Sequence, residues 1–129
     1  MNSAETKYLK INLDEVLKEL REYALVKGSG HGTKAIVLTG SLAKGTYTGT
    51  SYADLLIITD DVPPRSLDRY TLFADNGLSI DIEPRIFTTR EFLKKIQERD
   101  HFTIESVKSG ITLFGEAFIA DLKLRYRLD

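Results

Sequence analysis

Cysteine is absent from the 129-residue chain, which excludes disulfides and thiolate metal centres. Only two histidines occur, His31 and His101, and so few argue against a zinc site. Neither sign of charge dominates, since 18 basic residues face 19 acidic ones for a net charge of −1. A broad nucleic-acid or membrane footprint needs clustered Lys and Arg, so none is expected. Long hydrophobic runs are missing too. Ala35-Ile36-Val37-Leu38 and Leu55-Leu56-Ile57-Ile58 fall far short of the ~20 residues that span a bilayer. The opening MNSAETKYLK has no apolar stretch of the kind a signal peptide requires. The expectation is a cytoplasmic protein with no membrane partner.

The rest of the composition is that of a soluble globular protein, 42% hydrophobic and 29% charged. The length suits one domain, residues 1–129, with a core of its own. No internal repeat, low-complexity segment or linker interrupts it. Asn12 and Glu15 read as a capping box for a first helix, along which Leu13, Val16, Leu17, Leu20 and Ala24 share a face. Gly28 reads as its end, and GSGHG as a flexible link. Lys34 to Thr39 predicts a strand buried on both faces. A second strand is expected from about Ala53 to Thr59, after which DDVPPR breaks the pattern. Residues 65–75 allow a helix, and Leu78 to Ile86 alternates as a third strand. Thr88 and Glu91 form a second capping box, opening a helix that turns Phe92, Leu93 and Ile96 inward. A shorter helix over Phe102 to Ser109 ends at Gly110. ITLF reads as a brief fourth strand and residues 116–127 as a last helix, with Ile119, Leu122 and Tyr126 on its apolar face. Strands interleaved with helices indicate an α/β or α+β layer fold around a small mixed sheet.

Chemistry concentrates in GSLAKGTYTGTSYADLLIITD, residues 40–60. Gly40 and Ser41 follow a buried strand directly. A glycine there admits a ligand to the backbone, and a serine hydroxyl can donate to a phosphate oxygen. Lys44 adds positive charge within the same turn. A helix cap at Ser41 and a solvated Lys44 explain the same residues without a ligand. No G-x-x-x-x-G-K-[ST] pattern occurs, so this is not a P-loop. Asp54 begins an otherwise apolar strand. Asp81 and Glu83 lie two apart on the third strand and share a face. Neighbouring strands would bring these acids together as hard oxygen ligands for Mg²⁺, whereas a half-exposed strand would simply wet Asp81 and Glu83. His31 and His101 read as structural or solvated. Arg85 and Arg90 flank the end of the third strand and can reach a phosphate or remain on the surface. Phe87, Phe92, Phe102, Phe114 and Phe118 are spaced as core.

GSLAKGTYTGTSYADLLII resembles the signature of the nucleotidyltransferase superfold in its minimal (MNT) branch: G-S, ten residues, then D-x-D, with a third acid on a later strand. Gly40 and Ser41 match, Leu42 to Ser51 form the ten-residue spacer, and Asp54 matches the second aspartate. Asp81 is the better candidate for the third acid and Glu83 the alternative. The likeness covers most of the chain, including the leading helix and the ending ESVKSGITLFGE. It departs at Tyr52, which occupies the place of the first aspartate. Tyrosine, with a reference pKa of about 10, is neutral near pH 7 and a poor ligand for Mg²⁺. Asp60 and Asp61 cannot replace that aspartate, because an extended strand at ~3.3 Å per residue carries them about 20 Å further on.

The resemblance implies transfer of a nucleoside monophosphate, AMP from ATP, to a hydroxyl with release of pyrophosphate. It implies Mg²⁺ or Mn²⁺ on Asp54, Asp81 or Glu83, catalysis by Asp54 and Asp81, and a triphosphate held by Gly40, Ser41 and Lys44. It further implies a helical HEPN partner whose tyrosine accepts the AMP, this chain being the antitoxin of the pair; self-association stays open. The alternative is a non-catalytic member that binds a nucleotide or a partner protein, which Tyr52 favours. A small α/β domain without a ligand is the third reading.

Overall fold

Asn12 opens the first helix, α1 (Leu13–Gly28), its side chain accepting the Glu15 N–H at 3.2 Å. The computed structural model describes residues 12–30, 32–47 and 52–128, so His31 and residues 48–51 of the ten-residue spacer lie outside the described residues. Val16, Leu20 and Ala24 of α1 are buried as their spacing predicts, and Leu13 and Leu17 pack at the margin. Tyr23 joins them. Its hydroxyl donates to the Phe73 carbonyl at 2.6 Å. Burial, and then the charge of Asp75, push its ionisation well above the usual tyrosine range.

α1 ends at Gly28, as the sequence predicts, and the Ser29 hydroxyl donates to the Val26 carbonyl at 2.7 Å just beyond it. The lack of a side chain at Gly28 also answers a packing demand. A Cβ there would sit 2.7 Å from Cδ2 of Phe114 and nearer still to other ring atoms.

The elements that follow are β1 (Thr33–Thr39), α2 (Gly40–Lys44), β2 (Ala53–Thr59), α3 (Ser66–Phe73), β3 (Ile82–Phe87), α4 (Thr89–Gln97), α5 (His101–Ser109), β4 (Ile111–Phe114) and α6 (Glu116–Tyr126). The sheet order is β3-β2-β1-β4, with β2 and β3 parallel and β1 antiparallel to both β2 and β4. This is the expected mixed sheet packed by helices. Among the described residues no helix is long and apolar enough to cross a membrane.

The apolar runs of β1 and β2 occupy the centre because both of their faces are covered. Ile36, Leu38, Leu55 and Ile57 meet α1 and α3 on one side. Ala35, Val37, Leu56 and Ile58 meet α4, α5 and α6 on the other. Each fully buried aliphatic side chain of this kind contributes about 1.5–3 kcal/mol relative to exposure, so these two strands anchor the fold.

β3 starts later than alternation alone indicates. Residues 78–81 are not in the sheet; the Ser79 N–H and hydroxyl are instead bonded by Glu19 of α1. Pairing begins where β2 begins, with Ala53 beside Ile82. Pro84 is tolerated because β3 is an edge strand.

Thr88 and Glu91 form the predicted capping box at α4. Glu91 has a second task that the sequence conceals. Its carboxylate also takes the buried guanidinium of Arg69, at 2.7 and 3.3 Å, tying α3 to α4. Asp60 secures the same helix start by accepting from the Thr89 N–H at 2.8 Å and the Thr89 hydroxyl at 2.9 Å.

Candidate functional site

The turn after β1 and the first residues of β2 are brought together by the antiparallel register, which sets Thr39 opposite Asp54. Gly40 follows with φ +71°, a left-handed backbone that side chains rarely adopt. A Cβ at Gly40 would stand 3.1 Å from Cγ of Asp54 and collide with its Oδ2. Two independent constraints therefore demand glycine: the backbone angle and the carboxylate in front of it. The Ser41 carbonyl accepts the Thr46 N–H at 3.0 Å, and Gly45, at φ +77°, closes this short helix. Lys44 is exposed at its end.

The parallel register of β2 and β3 sets Asp54 beside Glu83. Partner residues in a ladder point to the same face, so Thr39, Asp54 and Glu83 form a row across three strands. Asp54 is half-buried, and this burial, the neighbouring Glu83 charge and a side-chain hydrogen bond with Glu83 raise its pKa, while the charge of Arg85 acts in the opposite direction. Asp81 is exposed one residue before β3, and its carbonyl accepts the Ala53 N–H at 2.9 Å. Of the two acids the sequence offered as partners, Glu83 is the one whose side chain meets Asp54. Tyr52 precedes β2 and is 54% exposed, which leaves its ring in solvent rather than in the core.

Among the described residues no group of three His, Asp or Glu side chains is gathered to enclose a metal. The paired carboxylates of Asp54 and Glu83 suit a single Mg²⁺, an ion commonly held by one or two carboxylates plus substrate phosphates. They do not supply the donor set for a three-acid, two-metal centre.

A cleft of about 170 Å³ opens beside this row. Thr39, Gly40, Ala43 and Lys44 line one wall, and His101, Phe102, Glu105 and Ser106 of α5 line the other. Phe102 is therefore a wall of the cleft, where its spacing suggested core. Phe92, by contrast, is fully buried as expected. The two arginines flanking β3 part company. Arg85 shares the face of Glu83, whereas Arg90 lines a separate depression with Asp60, Leu93 and Lys94. Nothing in the local sequence distinguishes them.

The sequence pattern that describes the nucleotidyltransferase domain matches residues 13–113. The chain belongs to this family. The matched span of the nucleotidyltransferase domain runs from the first residue of α1 into β4, and so includes Gly40, Ser41, Asp54 and Glu83. A Methanocaldococcus jannaschii protein named "Putative protein adenylyltransferase MJ1305" is 28% identical over 143 aligned positions, covering 92% of this chain and 94% of that protein. The crystal structure of a "putative nucleotidyltransferase" from Sulfolobus solfataricus superposes with a TM-score of 0.55, covering 81% of this chain and 85% of the other at 18% identity. That likeness concerns the fold, and it agrees with the mixed sheet described above.

Proposed function

We propose that this nucleotidyltransferase-domain protein transfers AMP from ATP to a hydroxyl group, releasing pyrophosphate. The observation that carries the reading is the placement of Gly40 against the Asp54 carboxylate, which sets the Gly-Ser turn and the acid at one point. The choice of an adenylyl group is supported by the name of the M. jannaschii relative.

In this reading Gly40, Ser41 and Lys44 hold the triphosphate, the backbone at Gly40 giving it room to approach. Asp54 and Glu83 hold Mg²⁺ or Mn²⁺, and Asp81, two residues before Glu83, is the further acid available to the same edge. An ion held there would neutralise phosphate charge. Asp54 keeps the acceptor hydroxyl and the α-phosphate in register, and α5 shields the phosphates from water along one side of the cleft. The acceptor is a tyrosine hydroxyl on a helical partner protein of the HEPN type, which makes this chain the antitoxin of a two-protein system in the minimal branch of the family.

Incubation with α-labelled ATP, Mn²⁺ and the candidate partner tests the proposal. Label should pass to the partner with the chain intact and fail to do so with Asp54→Asn. Binding of ATP without transfer in either case would favour the second reading, a non-catalytic nucleotide-binding member. The observation behind that alternative is Tyr52, an exposed phenol where the family pattern has an acid.

A further inference from the structure

The guanidinium of Arg85 lies over the ring of Phe102, its Cζ 4.5 Å from the ring centroid. Arg85 follows Glu83 by two residues on β3, so it projects from the same face of the sheet. Its charge is felt at Asp54, where it opposes that of Glu83. The side chain is otherwise uncommitted. Among the described residues no hydrogen bond or ion pair takes up its N–H donors, whereas Arg69 uses its own on Pro63, Ile86 and Glu91. An arginine stacked on an aromatic ring keeps its rim of donors in the plane, pre-oriented and free to bind a phosphate in fork geometry. Phe102 also lines the cleft that Gly40 and Lys44 border. One aromatic side chain thus links the cation on β3 to the turn after β1.

Charge bookkeeping at the site supports a purpose for this arrangement. Arg85 sets a positive charge beside Asp54 and Glu83, and Lys44 sets another on the cleft that Phe102 lines; each offers a phosphate oxygen a cationic partner.

We propose that Arg85 is a phosphate-binding residue: held on Phe102 beside the Asp54–Glu83 pair, its guanidinium binds the phosphate chain of a nucleoside triphosphate. The inference rests on the nucleotide site proposed above. Titration calorimetry with ATP and with inorganic tripolyphosphate, each in Mg²⁺ and in a chelator, tests it on the unmodified chain and on Arg85→Met and Arg85→Lys. Methionine keeps an apolar stem on Phe102 and removes the charge; lysine keeps the charge and loses the fork. Arg85→Met should weaken both ligands about tenfold or more, with and without Mg²⁺, as expected for a lost charge-assisted hydrogen bond. Arg85→Lys should fall between, and the ligand-free melting temperatures should stay close to that of the unmodified chain. Unchanged affinity in Arg85→Met, or a loss that follows a lowered melting temperature and recovers nothing in Arg85→Lys, overturns the proposal. If Arg85→Met fails to fold, affinity in Arg85→Lys equal to that of the unmodified chain overturns it alone. Failure of the unmodified chain to bind ATP at all overturns the nucleotide site as well.

Discussion

Glu83 stands directly beside Asp54 in the parallel ladder of β2 and β3, so the two carboxyl groups project from one face of the sheet. Asp54 is half-buried and Glu83 is exposed, and burial together with the neighbouring Glu83 charge raises the pKa of Asp54.

The first prediction follows from the direction of the Asp54 shift. Its pKa is raised in the folded chain, chiefly by burial and then by Glu83. The unfolded chain releases this proton earlier, near the ordinary aspartate value of about 3.9. Folded-state stability is therefore lost as pH climbs from that value through the higher folded pKa. Asp54→Asn removes the ionisation. Thermal melts across the acid-to-neutral range should show the variant at least as stable as the unmodified chain at neutral pH, with the advantage vanishing at low pH. A neutral-pH melting temperature clearly below that of the unmodified chain would contradict the shift.

Gly40→Ala should destabilise by about 1–3 kcal/mol, the usual cost of a non-glycine residue in a left-handed conformation, with an added part from collision with Asp54. The two parts separate in a double-mutant cycle with Asp54→Ala, followed by urea unfolding. In the Asp54→Ala background the cost of Gly40→Ala should shrink but not disappear. Equal costs in both backgrounds would show that the carboxylate does not press on Gly40.

Tyr52→Asp restores the acid that the family pattern places at this position. Mn²⁺-dependent ATP binding should strengthen in titration calorimetry. The exposure of Tyr52 means that little packing is lost, so any destabilisation should come from like charges brought together and should fade in salt. Equal binding by the two proteins would show that the tyrosine is no defect in the metal site.

Glu91→Gln tests the joint between α3 and α4. Its pKa is lowered, first by the hydrogen bond from Arg69 and further by the Thr88 contacts of the capping box. A depressed carboxyl pKa gives stability that is fully present above the unfolded value of about 4.3 and is lost as pH falls through the lower folded value. At neutral pH the variant should lose about 2 kcal/mol, in the range of hydrogen bonds to charged groups, because Arg69 is buried and keeps only carbonyl partners. The difference in unfolding free energy should narrow in acid. A constant difference at every pH would place the effect in packing rather than charge.

Much of the fold was legible because its causes are local. The Asn12 and Thr88 caps, the two apolar central strands and the Gly-Ser turn each depend on residues within a few positions of one another. Local hydrogen bonding and the alternation of side chains settle such features wherever they occur. The start of β3 was not legible in this way. Leu78 to Ile80 carry the alternation of a strand, but Glu19 of α1 holds Ser79 away from the sheet.

The site divides along the same line. The sequence by itself brought Gly40, Ser41 and Asp54 forward as candidates, because their spacing is a property of one continuous segment. It also determined that Tyr52 stands where an acid is expected. Only the tertiary structure decided that Glu83 rather than Asp81 meets the Asp54 carboxylate, since that choice turns on the register of two strands joined through α3. The same holds for Arg85 on Phe102 and for the Arg69–Glu91 joint between α3 and α4, each made across 17 or more residues of chain. Spacing along a chain can say which side chains share a face, but the contact between two faces is set by how the whole core packs.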